Sequence, residues 1–331
     1  MRVMRKVLLP VAAAGLITLT APGVGQGATP GPELQAAATV AVTAADSGAG
    51  SAAASQAYWT PQRMRKATPL DLLPSGAALT ATSPAPAVAG RPASVPPQPA
   101  ERTAGGPARP SPQTVFASSA AGRVFFHNPR NGADYSCSAS ALNSPSRQLV
   151  VTAGHCVHGG RGGTWMTKWV YVPDYHNGTA PYGVFAAKSF RAFQAWITSS
   201  SLARDVAMVT TWPNNGRKLV NVTGGNGLSW NASRTTPVAV LGYPSNYYQA
   251  QVQMYCTGWT GPERGTTRVQ IHCRYGQGAS GGPWLRSYNT SSRLGYVDGV
   301  TSTVTLSTGW DQSPYFDTAV AALYKAQGSL T

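Results

Sequence analysis

The sequence predicts an all-β fold for its last two-thirds, because short apolar strands there alternate with frequent turn signals. That pattern is typical of a sandwich or a barrel. The predicted strands span residues 123–127, 149–152, 205–210, 237–241, 251–256, 267–272 and 295–303. Residues 318–325 repeat apolar side chains at helical spacing and predict a short C-terminal helix.

The first third of the chain has a different composition, which predicts that it lies outside the folded domain. Residues 1–114 contain 16 of the 26 prolines and none of the 4 cysteines. Such a segment buries too little apolar surface to offset the entropy of ordering it. We expect a largely disordered propeptide over residues 29–114 and a folded domain over residues 115–331.

Residues 1–28 resemble a secretory signal peptide. Arg2, Arg5 and Lys6 precede an apolar run over residues 7–19, and small residues follow it. The alternative is an uncleaved membrane anchor, but Pro22 soon interrupts the apolar run, which is too short for a good span. We expect a secreted, extracellular protein with no membrane contact after cleavage of the signal.

The net charge of +15 is spread along the chain. Residues 1–114 hold 9 basic and 4 acidic residues, and residues 115–331 hold 17 and 7. The charge is compatible with attraction to anionic polymers or acidic substrates, or simply with solubility. Because the basic residues form no cluster and no known module, we expect no nucleic-acid binding.

Two short motifs supply the parts of an acyl-transfer site. Ser280 lies in Gly-Ala-Ser-Gly-Gly-Pro, where glycines let the backbone approach a bound acyl group. His155 lies in Thr-Ala-Gly-His-Cys directly after an apolar strand. A serine hydroxyl needs a neighbouring base to become a good nucleophile. Ser280 and His155 are therefore the candidate nucleophile and base.

The third member of such a site is a carboxylate that orients the imidazole. Asp205 is the preferred candidate because it directly precedes the apolar strand Val-Ala-Met-Val. The alternatives are Asp134, Asp174 and Asp298, of which Asp174 lies in a turn composition and Asp298 in a strand.

At these residues the chain resembles secreted bacterial trypsin-like (chymotrypsin-fold) serine peptidases, whose triad follows the order His, Asp, Ser. The resemblance implies two six-stranded antiparallel barrels followed by the helix. It implies that backbone N–H groups of Gly278 and Ser280 stabilise the oxyanion. It also implies a protein or peptide substrate, no cofactor, no metal and a monomer.

The four cysteines allow three disulfide pairings. The family resemblance favours Cys137 with Cys156 and Cys256 with Cys273, which also closes two short loops. A zinc site at His155, Cys156 and His158 is disfavoured, because the spacing fits no common zinc framework.

Two residues depart from the trypsin pattern. Ala279 replaces the aspartate that pairs with a new N-terminus on activation, which favours activation by removal of the propeptide. Arg274 stands where trypsin-like enzymes carry an aspartate for Lys or Arg substrates. It either selects an acidic substrate residue or is a solvated loop residue.

The segment Tyr-Val-Pro-Asp-Tyr-His-Asn-Gly, at residues 171–178, resembles glutamyl endopeptidases. Those enzymes use a histidine on the cleft strand, where Thr301 and Ser302 lie here. We therefore assign Arg274, Thr301 and Ser302 to the specificity pocket.

Residues 60–67 are the one part of the propeptide with a helix signal, because Thr60 suits an N-cap and Pro61 the first turn. With Tyr58, Trp59 and Arg63–Arg65 they resemble a motif in propeptides of actinobacterial trypsin-like peptidases. We expect this island either to dock on the protease domain as an inhibitor or folding aid, or to be a disordered linker. The alternative function for the whole chain is a catalytically weak protease-fold protein that binds anionic cell-wall polymers or acidic proteins.

Overall fold

The computed structural model describes residues 40–44, 49–70, 90–101 and 117–331. Five elements precede residue 117. In chain order they are strand β1 (Val40–Ala44), helix α1 (Ala49–Tyr58), helix α2 (Pro61–Lys66), strand β2 (Thr68–Pro69) and strand β3 (Ala93–Val95).

Six strands form the first barrel. They are β4 (Ala121–Asn128), β5 (Ala133–Leu142), β6 (Leu149–Thr152), β7 (Thr167–Pro173), β8 (Phe185–Phe193) and β9 (Ala207–Thr211), with helix α3 (Gln194–Ser199) after β8. Each strand pairs antiparallel with two others in the cyclic order β4-β5-β6-β9-β8-β7, so the sheet closes. Buried side chains such as Val124, Phe126, Val150 and Phe190 fill the interior.

Two sheets form the second barrel, after helix α4 (Leu219–Thr223). Their strands are β10 (Gly227–Trp230), β11 (Pro237–Gly242), β12 (Met254–Trp259), β13 (Gly261–Pro262), β14 (Val269–His272), β15 (Pro283–Asn289), β16 (Leu294–Val300), β17 (Thr303–Thr305) and β18 (Trp310–Ser313). One sheet has the order β12-β11-β15-β16-β10 and the other the order β13-β14-β18-β17. Val240, Ile271 and Trp284 bring the two sheets into one core. The pairing of β10 with β16 is parallel, whereas the others are antiparallel.

The barrels share a further core with the C-terminal helix α5 (Thr318–Gly328). Val151 and Met208 from the first barrel meet Leu241 and Val297 from the second, and Leu323 of α5 packs against the same cluster. Asp317 caps α5 by accepting hydrogen bonds from two backbone N–H groups of its first turn. The two barrels and the C-terminal helix expected from the sequence are confirmed.

We call residues 1–114 the leader. Its described parts add strands to the sheets of both barrels. Strand β1 pairs antiparallel with β8, β2 pairs parallel with β5, and β3 pairs antiparallel with β10. The helix predicted over residues 60–67 is confirmed as α2, and the Thr60 hydroxyl accepts a hydrogen bond from the Arg63 N–H as expected of an N-cap. Residues 49–70 are therefore ordered on the domain.

Residues 1–28, the expected signal peptide, lie outside the described residues. Among the ranges that the structure describes, no helix has the length and apolar character needed to cross a membrane.

Some strand boundaries differ from the sequence-based prediction. The strand predicted over residues 251–256 begins instead at Met254, because the preceding residues Tyr248, Gln249 and Ala250 adopt positive φ in a tight turn. The strand predicted over residues 267–272 begins at Val269, and α5 continues to Gly328. The strands of the domain that have no counterpart in the sequence-based prediction are β5, β7, β8, β10, β13, β15, β17 and β18.

Candidate active site

His155 lies in a single 3-10 turn, Gly154–Cys156, that directly follows β6. The side chain is almost fully buried. A disulfide between Cys137 and Cys156 ties this turn to β5. The imidazole is thus fixed to two strands of the first barrel, one through the chain and one through the disulfide.

Asp205 is fully buried and accepts three hydrogen bonds. Its Oδ2 atom lies 2.8 Å from His155 Nδ1 and 2.6 Å from the Ser302 hydroxyl, which donates to it. Its Oδ1 atom accepts a bond of 2.8 Å from the His155 backbone N–H. A carboxylate in this position holds the Nδ1 proton, so Nε2 is left as the basic nitrogen.

Close packing around Asp205 requires a glycine at position 154. A Cβ atom added to Gly154 would lie 2.9 Å from Asp205 Oδ1 and 3.0 Å from the Trp196 ring. The loop that carries Asp205 is also tied to α5, since the buried Arg204 guanidinium makes two hydrogen bonds to the Asp317 carboxylate. The position of the carboxylate therefore depends on both the first barrel and the C-terminal helix.

Ser280 lies in the loop that leads into β15. Its carbonyl accepts a hydrogen bond of 2.7 Å from the Ser138 N–H on β5. The Ser138 hydroxyl donates to the Gly278 carbonyl and accepts from the Tyr243 N–H. A Cβ atom added to Gly281, which has φ of +80°, would lie 2.1 Å from Thr152 Oγ1. This loop therefore packs directly on strands that flank His155.

The predicted nucleophile and base are neighbours without a mutual bond. The Ser280 carbonyl lies 3.8 Å from Cys156 Sγ, one residue after His155. His155 Nε2 is buried and has no hydrogen-bond partner within the described part of the chain. Catalytic hydrogen bonds are often long or misaligned before substrate binds. Nε2 is therefore free to accept a proton.

The Gly278 N–H, predicted to bind the oxyanion, has a partner from the leader. It donates a hydrogen bond of 3.0 Å to the carbonyl of Leu70, the residue after β2. Gly278 has φ of +86°, a conformation that glycine adopts without a steric penalty. A peptide carbonyl thus already lies against this donor.

The three residues predicted to form the specificity pocket occupy different environments. Arg274 is exposed, and its backbone N–H donates to the Gly309 carbonyl. Thr301 is buried, with its hydroxyl accepting from Trp284 Nε1. Ser302 is also buried and donates to Asp205. The exposed position of Arg274 fits a solvated residue, and the buried Ser302 contacts the Asp205 carboxylate instead of lining an open pocket.

Asp311 is an acidic residue that the sequence did not single out. It is fully buried on β18, opposite Ile271 of β14 and Val304 of β17. Neither carboxylate oxygen accepts a well-formed hydrogen bond from the described residues. Burial raises the pKa of this carboxyl to about 8, although the Tyr275 backbone N–H lies near enough to lower that pKa somewhat. Its strand contains no motif, so no local signal could have identified it.

The alternative aspartates take other roles. Asp134 pairs with His127 at 2.9 Å and with the Tyr58 hydroxyl. Asp174 follows β7 with positive φ, and burial raises its pKa to about 6. Burial likewise raises the pKa of Asp298 to about 6. Of the four candidates Asp205 is the one that contacts His155 in the structure.

The cysteine sulfurs near His155 do not form a metal site. Cys137, His155 and Cys156 place one potential ligand atom each within 4.8 Å of the others. Both sulfurs are joined in the disulfide, so neither can bind a metal as a thiolate. The second disulfide joins Cys256 and Cys273 in the second barrel.

A groove of about 410 Å³ lies on the second barrel, away from these groups. It is lined by residues of β11, β12 and β15, including Tyr255, Trp259 and Tyr288. None of the three predicted triad residues lines it. We therefore place the candidate active site at the hydrogen-bonded residues around His155 and not in this groove.

Comparisons with known proteins identify the family and the fold. Residues 137–290 match the family model of the trypsin-like peptidase domain. The structure is similar to that of protease Anisep from Arthrobacter nicotinovorans, with 30% identity, a TM-score of 0.60, and coverage of 65% of this chain and 98% of that chain. No curated protein sequence matches the chain.

Two further structures share the fold. A thermostable serine protease, AL20, from an extremophilic microorganism has 27% identity and a TM-score of 0.61, over 65% of this chain and 99% of that chain. A Glu endopeptidase has 16% identity and a TM-score of 0.52, over 65% and 94%. The 30% identity to Anisep over 98% of that chain shows that this chain belongs to the trypsin-like peptidase family.

Proposed function

We propose that the protein is a serine endopeptidase that hydrolyses peptide bonds through an acyl-enzyme intermediate. Ser280 Oγ attacks the peptide carbonyl while His155 Nε2 accepts its proton. The Ser280–carbonyl bond forms as the carbonyl π bond opens to an oxyanion. The carbonyl then re-forms as the C–N bond breaks, and His155 returns the proton to the leaving amine. Water, deprotonated by His155, attacks the acyl-enzyme in the same way, and the ester bond to Ser280 Oγ breaks to release the acid as Ser280 regains its proton.

The observation that carries this proposal is the hydrogen-bonded group around Asp205. His155 Nδ1 at 2.8 Å and the Ser302 hydroxyl at 2.6 Å both contact one carboxylate oxygen. This arrangement fixes the imidazole tautomer and stabilises the imidazolium that forms during attack. A protein that only binds cell-wall polymers does not need an oriented imidazole. The orientation of His155 therefore argues against the binding alternative.

The oxyanion is held by backbone N–H groups of Gly278 and Ser280. Within the described residues the Ser280 N–H has no hydrogen-bond partner, whereas that of Gly278 is bonded to Leu70. Donors of this kind stabilise the transition state because they are already oriented before charge develops. Loss of one costs about 2.7–4 kcal/mol in the barrier.

The protein is made as a preproprotein and exported. Residues 1–28 direct secretion, and residues 29–114 form a propeptide, of which residues 49–70 dock on the protease domain of residues 115–331. Two disulfides suit an oxidising compartment outside the cytoplasm. Removal of the propeptide, with the mature N-terminus between about residues 102 and 119, activates the enzyme.

The proposal is tested with Ser280→Ala in the processed protein. We expect turnover of a casein substrate to fall by about six orders of magnitude, because the nucleophile is absent. The melting temperature should change little, since Ser280 makes its hydrogen bonds through its backbone. Ser307→Ala, at an exposed serine, is the matched control. Near wild-type turnover by Ser280→Ala would reject the proposal.

A further inference from the structure

Residues Thr68–Leu70 of the leader lie across the catalytic loop. Strand β2 pairs parallel with β5, with Pro69 opposite Ser136. The Leu70 N–H donates a bond of 2.8 Å to the Ser136 carbonyl, and the Leu70 carbonyl accepts one of 3.0 Å from the Gly278 N–H. One residue of the leader thus connects a barrel strand to the loop that carries Ser280.

The same segment closes the space above Gly278. A Cβ atom added to this glycine would lie 2.9 Å from Pro69 Cβ and 2.7 Å from the Tyr243 carbonyl. The space beside the Gly278 Cα is therefore filled by Pro69 and by the Tyr243 carbonyl, while the Gly278 N–H is bonded to the Leu70 carbonyl. A substrate carbonyl cannot reach that donor while Leu70 remains in place.

The helices before β2 anchor it to the outer face of the first barrel. Trp59 and Met64 are only 3% and 2% exposed. They pack in a cluster with Phe125 and Tyr175, and the Trp59 and Phe125 rings lie 5.4 Å apart. Trp59 Nε1 also donates to the Lys168 carbonyl. Burial of two such side chains stabilises the docked position by several kcal/mol.

Polar contacts fix the orientation of the anchor. The Tyr58 hydroxyl donates to Asp134, and Arg63 makes an ion pair with the same carboxylate at 3.4 Å. Gln56 Nε2 donates to the Val184 carbonyl at 2.8 Å. The segment is therefore held at a defined register, and that register determines where Leu70 lies.

We infer that residues 49–70 inhibit the enzyme through Leu70, whose carbonyl occupies the oxyanion donor Gly278, with α1 and α2 as the anchor. This inference rests on the proposed function and specifies its regulation. Inhibition uses backbone groups at the site and side chains only at the anchor. Cleavage near residues 102–119 therefore does not by itself free the site, because residues 49–70 remain bound until they dissociate or are degraded.

The inference is tested by the rate at which a fluorophosphonate labels Ser280 in the full-length chain. Intact mass distinguishes adducts on full-length protein from adducts on processed protein. Leu70→Pro removes the N–H that donates to Ser136, whereas Leu70→Ala keeps both backbone groups. We expect the full-length Leu70→Pro chain to be labelled about tenfold faster than wild type, and Leu70→Ala to be labelled at nearly the wild-type rate.

A second variant tests the anchor without touching the site. Trp59→Ala removes the largest buried side chain of the segment and should also accelerate labelling of the full-length chain. Trp259→Ala, at a tryptophan that is 67% exposed, is the matched control. Processed protein that has lost residues 49–70 should be labelled at one rate for all variants, which shows that the domain itself is unchanged.

Three outcomes would overturn the inference. If wild type, Leu70→Pro and Trp59→Ala are all labelled as fast as processed protein, the segment does not block the site, although the proposed function stands. If wild type is cut after Leu70 and Ser280→Ala is not, the segment is a substrate instead of an inhibitor. If fully processed protein is not labelled either, the proposed function fails and the inference with it.

Discussion

The two halves of the candidate site differ in how complete they are. Around His155, the Asp205 carboxylate is hydrogen-bonded to the imidazole Nδ1, to the His155 backbone N–H and to the Ser302 hydroxyl. Around Ser280, the Gly278 N–H is bonded to Leu70, and the described residues supply no partner for His155 Nε2. Under the proposed mechanism, the base is already oriented in the full-length chain, whereas one of the two proposed oxyanion donors is occupied. The inferred inhibition therefore acts on the loop of Ser280.

The largest effect in the base half is expected from Asp205→Asn. Asparagine keeps the size of the side chain but donates a hydrogen bond where the carboxylate accepted one, so His155 loses its productive tautomer. We expect kcat of the processed enzyme to fall by about 10⁴-fold, measured on a chromogenic peptide.

Asp298→Asn is the matched control, because Asp298 does not contact His155. An equal loss of kcat in both variants would show that Asp205 has no special role. The hydrogen bonds of Asp205 would then not distinguish the His155 half of the site from the Ser280 half.

A smaller effect is expected from Ser302→Ala, which removes one of the three hydrogen bonds to Asp205. Hydrogen bonds to charged groups contribute about 1.5–3 kcal/mol, and the two bonds from His155 remain. We expect kcat to fall about tenfold with KM nearly unchanged, because Ser302 positions the carboxylate and does not line an open pocket.

The exposed Ser307→Ala serves again as the control. A change in KM without a change in kcat would instead support the pocket assignment made from the sequence.

The smallest effect is expected on stability, from Asp311→Asn. The pKa of Asp311 in the folded protein is about 8, above its ordinary value of 3.8, so the folded state holds this proton more tightly. The free energy of unfolding of wild type therefore decreases as the pH rises from about 4 to about 8.

Asparagine does not ionise at this position. We expect the melting temperature of Asp311→Asn to exceed that of wild type by several degrees at pH 9, and not to exceed it at pH 4. A difference that is independent of pH would show that Asp311 is not an uncompensated buried charge.

Sequence patterns were most informative where the chemistry is local. His155 and Ser280 lie in short motifs, and Asp205 directly precedes the strand that pairs with the strand before His155. Strand β5 was missed because its sequence Ala-Asp-Tyr-Ser-Cys-Ser-Ala-Ser-Ala-Leu is rich in alanine and serine, which have low β-propensity. Its small side chains instead allow the loop of Ser280 to pack on it.

Contacts between distant parts of the chain could not be predicted. The hydrogen bond from Gly278 to Leu70 uses only backbone atoms, so the side chains of these residues could not predict it. Asp311 has an ordinary sequence context, and its burial results from the pairing of β14, β17 and β18. Thr60 and Pro61 predicted the helix α2. In contrast, only the structure shows that strand β2, which follows this helix, lies against the loop of Gly278.

Whether His155 activates Ser280 is decided by locating the adduct of a fluorophosphonate on processed protein by mass spectrometry. We expect one adduct, on Ser280, which is absent in Ser280→Ala and forms at least a hundredfold more slowly in His155→Ala. An adduct at another residue, or equal labelling of Ser280 without His155, would contradict this expectation.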